Sequence, residues 1–353
     1  MSDEMKHDNR ADRLLYRQWY AIAWEKELGE QPLARRCVGL PIVLFRDAEH
    51  QIAAIADRCP HRFAPLSRGR AVGGTLYCGY HGLGFDRTGR CVVNPHAEAI
   101  PATAHLRSYP VSVRNGVIWL WPSDSPADPN LIPEYPSLDL PGDQLVMGTT
   151  LIAAPYEMAA DNLFDLSHVM YLHGGAFGAT DQSGAIRTVR HEGDEVTMDW
   201  WIAGRGAASE WEAVWDAKST DPMDSWMSLR WRAPGNILLE IGIVDRDRPR
   251  MEGKRVHLVN LLTPEDSVST RYLWAAARVD APPSSPDARA VLESVLKHAF
   301  DRDDGPMIEA CYSRMDGVDV MKQHPLILPT DAGAVRARGM ISRLLASEAA
   351  EAR

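Results

Sequence analysis

Between residues 59 and 81 the chain presents two soft thiols and two imidazoles as two short clips. The first is Cys59-Pro60-His61 and, after sixteen further residues, the second is Cys78-Gly79-Tyr80-His81. One Cys and one His in each clip suit a [2Fe-2S] centre in which two Cys hold one iron and two His hold the other, an arrangement that raises the reduction potential. The competing chemistry is a Cys2His2 zinc site, which takes the same ligands and usually serves structure. Zinc clips, however, usually pair Cys with Cys and His with His, whereas both clips here are mixed. Gly69, Gly73, Gly74, Gly79, Gly82 and Gly84 crowd the same region. Glycine lets backbone amides come close to cluster sulfurs, and those amides tune the potential.

A second constellation lies at residues 161–173, Asp-Asn-Leu-Phe-Asp-Leu-Ser-His-Val-Met-Tyr-Leu-His. At about 100° per residue, Asp165 at zero puts His168 near -60° and His173 near +80° on an ideal helix. The acid lies between the two histidines, which are themselves about 140° apart, so the helix must end or distort before His173 if both are to reach one metal. Two imidazoles and a carboxylate with positions left open form the facial triad of non-haem Fe(II) oxygenases. The plainer readings are histidines satisfying core hydrogen bonds and an acid capping a helix.

The segments Cys59-Pro60-His61-Arg62 and Cys78-Gly79-Tyr80-His81-Gly82-Leu83 closely resemble the Rieske segment of ring-hydroxylating oxygenases, nearest to the vanillate and dicamba O-demethylases. The likeness continues through Trp119-Leu120-Trp121-Pro122, Leu261-Leu262-Thr263-Pro264-Glu265 and Asp331-Ala332-Gly333, and so covers residues 14–347. The resemblance implies a Rieske cluster held by Cys59, His61, Cys78 and His81, and a mononuclear Fe(II) held by His168 and His173. It implies further that Asp165 bridges the two centres, contacting His168 and, across a subunit boundary, His81. The third iron ligand should be a later carboxylate, in a pattern Phe-x-x-Asp followed five residues on by Glu. Here Phe300 to Glu309 is one residue longer. Counting from Phe300 selects Asp303; counting back from Glu309 selects Asp304, which is preferred because residues 306–309 look like the continuous helix that sets the register.

By the same resemblance, the chain is the oxygenase component of a monooxygenase that uses O2 to O-demethylate a methoxylated, vanillate-like aromatic acid and releases formaldehyde. Hydroxylation of an aryl methyl, N-methyl or ring position is the alternative, and a ligand-binding protein with a structural zinc is a remote one. Asn260 matches a polar substrate contact of the dicamba-type enzyme, and Trp274 is expected in the same cavity. A homotrimer is implied, as is a partner reductase or ferredoxin that brings electrons from NAD(P)H. The chain itself shows no convincing Gly-x-Gly-x-x-Gly fingerprint for a dinucleotide.

These residues need elements to carry them. A chain of 353 residues points to two domains. Residues 1–13 are polar and expected to be disordered, and 14–121 read as an all-β domain with ligands on loops. Residues 42–45 and 52–55 form a hairpin that delivers Cys59, and 111–114 with 117–121 form another, closed by Asn115-Gly116 in a type I′ turn. Six prolines between 122 and 141 make 122–145 an extended connector. The catalytic domain, 146–353, should be an antiparallel sheet with helices, an α+β helix-grip-like fold. Its strands are expected at 226–232, 237–244, 256–262 and 270–277. Val291, Leu292, Val295, Leu296 and Phe300 repeat at helical spacing after a cap at Ser285 or Asp287, and a last helix from Asp331 is expected to bury Val335, Ile341, Leu344 and Leu345.

The net charge of -10 argues against a nucleic-acid partner. Residues 58–90 nevertheless carry six arginines against one acid, Asp86, so either a local positive patch steers an acidic electron donor or arginines brace glycine-rich loops. Five cysteines leave three after the cluster takes two, and no secretory, transit or membrane-spanning segment is visible. A soluble, cytoplasmic protein is expected.

Overall fold

Frequent turns break the N-terminal sequence into short pieces, and the computed structural model shows them as antiparallel strands. They are β1 (Tyr20–Trp24), β2 (Leu33–Cys37), β3 (Leu40–Arg46), β4 (Ile52–Ala56), β5 (Arg70–Val72), β6 (Thr75–Tyr77), β7 (Gly84–Phe85), β8 (Cys91–Val93), β9 (Ser108–Tyr109), β10 (Val111–Arg114) and β11 (Val117–Leu120). The structure describes residues 13–174, 184–204, 211–218, 220–280, 286–315 and 320–351. Two units emerge: Leu14–Glu134 with Thr263–Ser267, and Tyr135–Leu262 with Val268–Arg353 and Arg13. Apart from Arg13, the tail expected to be disordered lies outside the described residues, as does Ser285; so does the side chain of Asp287.

In the N-terminal unit the hairpin of β3 and β4 is the organising wall. Successive strand residues point to opposite faces, and here both faces are buried. Ile42 and Leu44 of β3 enter a core with Ile22, Ile118 and Leu120. Val43 and Phe45 enter a second core with Leu66, Leu76, Phe85 and the thiols of Cys59 and Cys78. Each such apolar side chain gains about 1.5–3 kcal/mol from burial, so the wall ties the cluster loops to the rest of the unit. The β10–β11 hairpin closes on Asn115 and Gly116, both at positive φ (51° and 68°), as a type I′ turn requires.

A single antiparallel sheet forms the second unit. Its strands are β12 (Val146–Ile152), β13 (Ile186–Glu192), β14 (Glu195–Ile202), β15 (Met223–Arg232), β16 (Asn236–Asp245), β17 (Lys254–Asp266) and β18 (Ser269–Arg278), in the order β12-β18-β17-β16-β15-β14-β13. The four expected strands are β15 to β18, each longer than its apolar run. Register sets the two faces. Val196, Trp231, Ile237 and Asn260 stand in one row, and Asp199, Ser228, Glu240 and His257 in another. The rows differ by an odd number of residues along each strand and therefore face opposite ways.

Helices cover the first face. They are α1 (Tyr156–Phe164), α2 (Val169–Leu172), α3 (Glu212–Trp215), α4 (Pro286–His298), α5 (Gly305–Tyr312) and α6 (Ala332–Glu351), with a π-turn, Ala299–Asp304, joining α4 to α5. Phe164 packs on Trp231 with ring centroids 6.0 Å apart. Of the apolar set expected at helical spacing, Leu292, Leu296 and Phe300 are buried, while Val291 and Val295 are half-buried. In α6 the buried arc runs through Gly333, Ala337, Met340 and Ile341. Val335, expected inside, is instead exposed, because it lies about 200° around the helix from Gly333; Leu344 and Leu345 are half-buried. Arg338 is buried because its Nε donates to both carboxylate oxygens of Asp161, at 3.0 and 2.9 Å.

Candidate metal centres

Each cluster loop is a tight turn that holds its cysteine inside. Cys59 N donates to Ala64 O and Phe63 N to Cys59 O, both at 2.9 Å; Cys78 N donates to Leu83 O at 2.8 Å and Gly82 N to Cys78 O at 3.0 Å. The two loops interlock where no side chain would fit. A Cβ on Gly69 would stand 1.9 Å from Tyr77 O, and one on Gly79 would stand 2.8 Å from Arg68 O. Both thiols are buried, within hydrogen-bonding reach of each other, and the Cys59 thiol is pushed up by burial first and by Cys78 beside it. His61 and His81 sit outward, with ring centroids 4.4 Å apart. Inner thiols and outer imidazoles are the division that a cluster with one sulfur-held and one nitrogen-held iron needs, so the residues fit it. His96, which the sequence did not single out, donates from Nε2 to the His81 carbonyl at 2.9 Å and steadies that ligand loop.

At the other centre α1 stops at Phe164, and Asp165, its cap, leaves helical geometry with φ -82° and ψ 82°. The break expected before His173 is therefore present, and it lies at Asp165, ahead of His168 as well. The single turn α2 then places His168 and His173 at its two ends. Their Nε2 atoms are 3.2 Å apart, and each lies 3.3 Å from Asp304 Oδ1. Ligand atoms about 2.1 Å from an ion and at right angles would stand about 3.0 Å apart, so this near-equilateral triangle suits one face of a metal ion.

Outer partners settle which nitrogens are free. His168 Nδ1 donates to the main-chain oxygen of Asp165, and His173 Nδ1 donates to Asp303 Oδ2 at 3.0 Å. Each bond engages Nδ1 and so turns Nε2 toward the triangle. Asn162 Nδ2 donates to Asp304 Oδ1 at 3.2 Å. Burial raises the Asp304 pKa, but the two imidazoles outweigh it and hold the carboxyl at about 2. Burial pulls His173 down, and its bonds to Asp304 and Asp303 more than reverse that.

Of the two aspartates left open by the sequence, Asp304 points into the triangle and Asp303 backs His173 from outside. The one-residue excess between Phe300 and Glu309 coincides with the π-turn, the usual form of a single residue inserted into a helix. Asp165 differs in detail from expectation. It meets His168 through its carbonyl, while its carboxylate Oδ1 accepts from the backbone N of Ser167 at 3.0 Å and from the Ser167 hydroxyl. Asn260 is buried, with Oδ1 accepting from Tyr272 Oη at 2.6 Å. Trp274 is buried too, and its indole N–H is engaged by Thr150 Oγ1 at 3.2 Å. Sequence reasoning missed Asn162, Tyr272 and Thr150, whose roles depend on contacts across the fold.

Comparison with known proteins bears on both halves. Residues 18–110 match the Rieske [2Fe-2S] domain, and residues 152–347 match the vanillate O-demethylase oxygenase C-terminal domain. The chain is 36% identical over 336 residues to the chloroacetanilide N-alkylformylase oxygenase component of Rhizorhabdus wittichii, covering 94% of each protein. It is 35% identical to the dicamba O-demethylase oxygenase component of Stenotrophomonas maltophilia, covering 94% of this chain and 98% of that one. The crystal structure of dicamba monooxygenase bound to dicamba superposes with a TM-score of 0.87 at 34% identity, over 95% of this chain and 98% of that one.

Proposed function

The chain belongs to the Rieske non-haem iron oxygenases of the vanillate and dicamba O-demethylase type, and from that premise we propose that it O-demethylates a methoxylated aromatic acid. The observation that carries this is the Nε2–Nε2–Oδ1 triangle of His168, His173 and Asp304 in a chain that also holds the Cys59, His61, Cys78, His81 pocket. When bound, the cluster supplies single electrons and the mononuclear iron supplies activation of O2, which no side chain can provide. His168, His173 and Asp304 would hold the iron, two imidazoles and one carboxylate being the donor set of non-haem Fe(II) oxygenases. Asp304 supplies the negative charge, while Asp303 and the Asp165 carbonyl keep the imidazoles turned. Phe300, Tyr272 and Trp274, buried and in ring contact, exclude water. We assign substrate orientation to the buried Asn260–Tyr272 pair. Hydroxylation of the methyl carbon leaves a hemiacetal that collapses to a phenol and formaldehyde.

Two further roles belong to the proposal. Asp165 relays electrons from His81 of a neighbouring subunit to His168 within a homotrimer. The exposed Arg58, Arg62, Arg68, Arg70 and Arg90 form a collar for an acidic ferredoxin or reductase that draws on NAD(P)H. Exchange of Arg58 and Arg62 for Gln should weaken donor binding and flatten its salt dependence; unchanged salt dependence would remove the collar's role. All five cysteines are free, which supports a cytoplasmic setting. Among the described residues no helix is long and apolar enough to cross a membrane.

The deciding experiment is formaldehyde release from a panel of methoxybenzoates, including vanillate, with reconstituted iron, NADH and a broad-specificity reductase. Formaldehyde matched to O2 consumption is the expected result. The similarity to an N-alkylformylase favours a second reading, N-dealkylation, so N-alkyl anilides belong in the same panel. Coupled turnover with those compounds alone would move the substrate class.

A further inference from the structure

Asp304 reaches the metal triangle only because a π-turn carries it there, and the structure contains a device that holds that turn. Thr150 of β12 donates from Oγ1 to Asp301 Oδ1 at 2.6 Å and accepts from Trp274 Nε1 at 3.2 Å. The Trp274 ring lies across Gly148, its register partner on β12; a Cβ on Gly148 would stand 2.2 Å from Trp274 Cζ2. The same ring packs on Phe300, with centroids 5.3 Å apart. Beyond the turn, Glu309 Oε1 accepts from Ala153 N, one residue past the end of β12, at 2.8 Å. Strand β12 thus grips the segment on both sides of Asp304, at Asp301 and at Glu309.

These two grips explain why the extra residue becomes a π-turn. Along an uninterrupted α-helix, Asp301 and Glu309 would be about 80° apart around the axis, at about 100° per residue. Absorbing one residue in a π-turn removes about one such step. The two carboxylates then lie within about 20° of each other, both toward β12. We infer that Thr150, Trp274 and Asp301 are positioning residues for the mononuclear iron, which hold the π-turn in the register that presents Asp304, rather than Asp303, to His168 and His173. The inference rests on the assignment of those three residues to iron.

The test is the Fe(II) affinity of cluster-loaded holoprotein. Thr150→Val removes both hydrogen bonds at nearly constant volume and should weaken Fe(II) binding up to about 10-fold, the low end of the loss seen when a ligand's direct partner is removed. Thr150→Ser, which keeps the hydroxyl, should restore it, and the Rieske EPR signal should not change. Wild-type affinity in Thr150→Val overturns the inference. Should that variant fail to fold, Trp274→Phe, which keeps a ring but loses the N–H, carries the test in the same sense. Asp304→Ala is the control: if it binds Fe(II) normally, the iron assignment itself has failed, whereas its loss beside an unaffected Thr150→Val defeats only the anchor.

Discussion

The cluster pocket draws its four ligands from two loops between residues 59 and 81, whereas the iron triangle joins a helix break at residues 165–168 to a π-turn that ends at Asp304. In the first, spacing along the chain nearly determines geometry, because each clip is one turn closed by its own backbone bonds. In the second, a slip of one residue would turn the ligand by about 100° and exchange an ion-facing carboxylate for one that backs an imidazole. A local centre depends on residue identity; a non-local centre depends on register, and register is set by contacts far from the metal.

That contrast can be broken most severely at Asp304. Asp304→Ala should lower Fe(II) affinity by more than the roughly 100-fold at which outer partners saturate, with the Rieske EPR signal intact. A variant that loses both metals together would show that the centres are not separable. Next comes Asp165→Asn, which should retain both metals yet nearly abolish coupled turnover; normal turnover would sink the relay. Asp303→Asn should be milder, at about 10–100-fold in Fe(II) affinity, and a loss as deep as that of Asp304→Ala would reverse the roles given to the two aspartates.

The smallest effect is expected on the opposite face of the catalytic sheet, where Glu240 lies in the row with His257. The His257 hydrogen bond leads, against burial and aided by Arg250 and Trp226, in holding the Glu240 carboxyl at about 2. A carboxyl whose folded pKa is depressed stabilises above its unfolded pKa, and that stabilisation is lost as pH falls through the folded value. Glu240→Gln should therefore cost about 1–2 kcal/mol at pH 7, discounted for partial solvation. The gap between variant and wild type should narrow as pH falls toward 2, with iron content unchanged at neutral pH. Denaturation curves showing the same gap at pH 7 and pH 3 would remove the ionic account.

Legibility in the sequence follows the same divide. The mixed clips at 59–61 and 78–81 could be read directly, as could the hairpin at Asn115-Gly116. Strands β15 to β18 carry long apolar runs and were legible, whereas β13 has the polar sequence Ile-Arg-Thr-Val-Arg-His-Glu and is exposed along most of its length, so it gave no such signal. The alternation in β14, buried at every second residue, was there to be read and was missed. The family resemblance narrowed the carboxylate ligand to Asp303 or Asp304, and the downstream helix favoured the second of the pair. What could not be read is how the extra residue is stored, since Thr150 and Asp301 are 151 positions apart and only the folded sheet brings them together.

The doubly buried hairpin of β3 and β4 has a consequence for how the protein acquires its cofactor. One side of that wall is packed by the chain's own aliphatic and aromatic groups with the Cys37 thiol among them, while the other closes around the cluster thiols of Cys59 and Cys78, with Cys91 beside them. Maturation therefore has a natural order, in which the self-sufficient side can consolidate first and offer a half-built receptacle to the cluster-delivery machinery. Hydrogen exchange on cluster-free chain should then find β1 and β11 amides protected while those of β5 to β8 exchange freely.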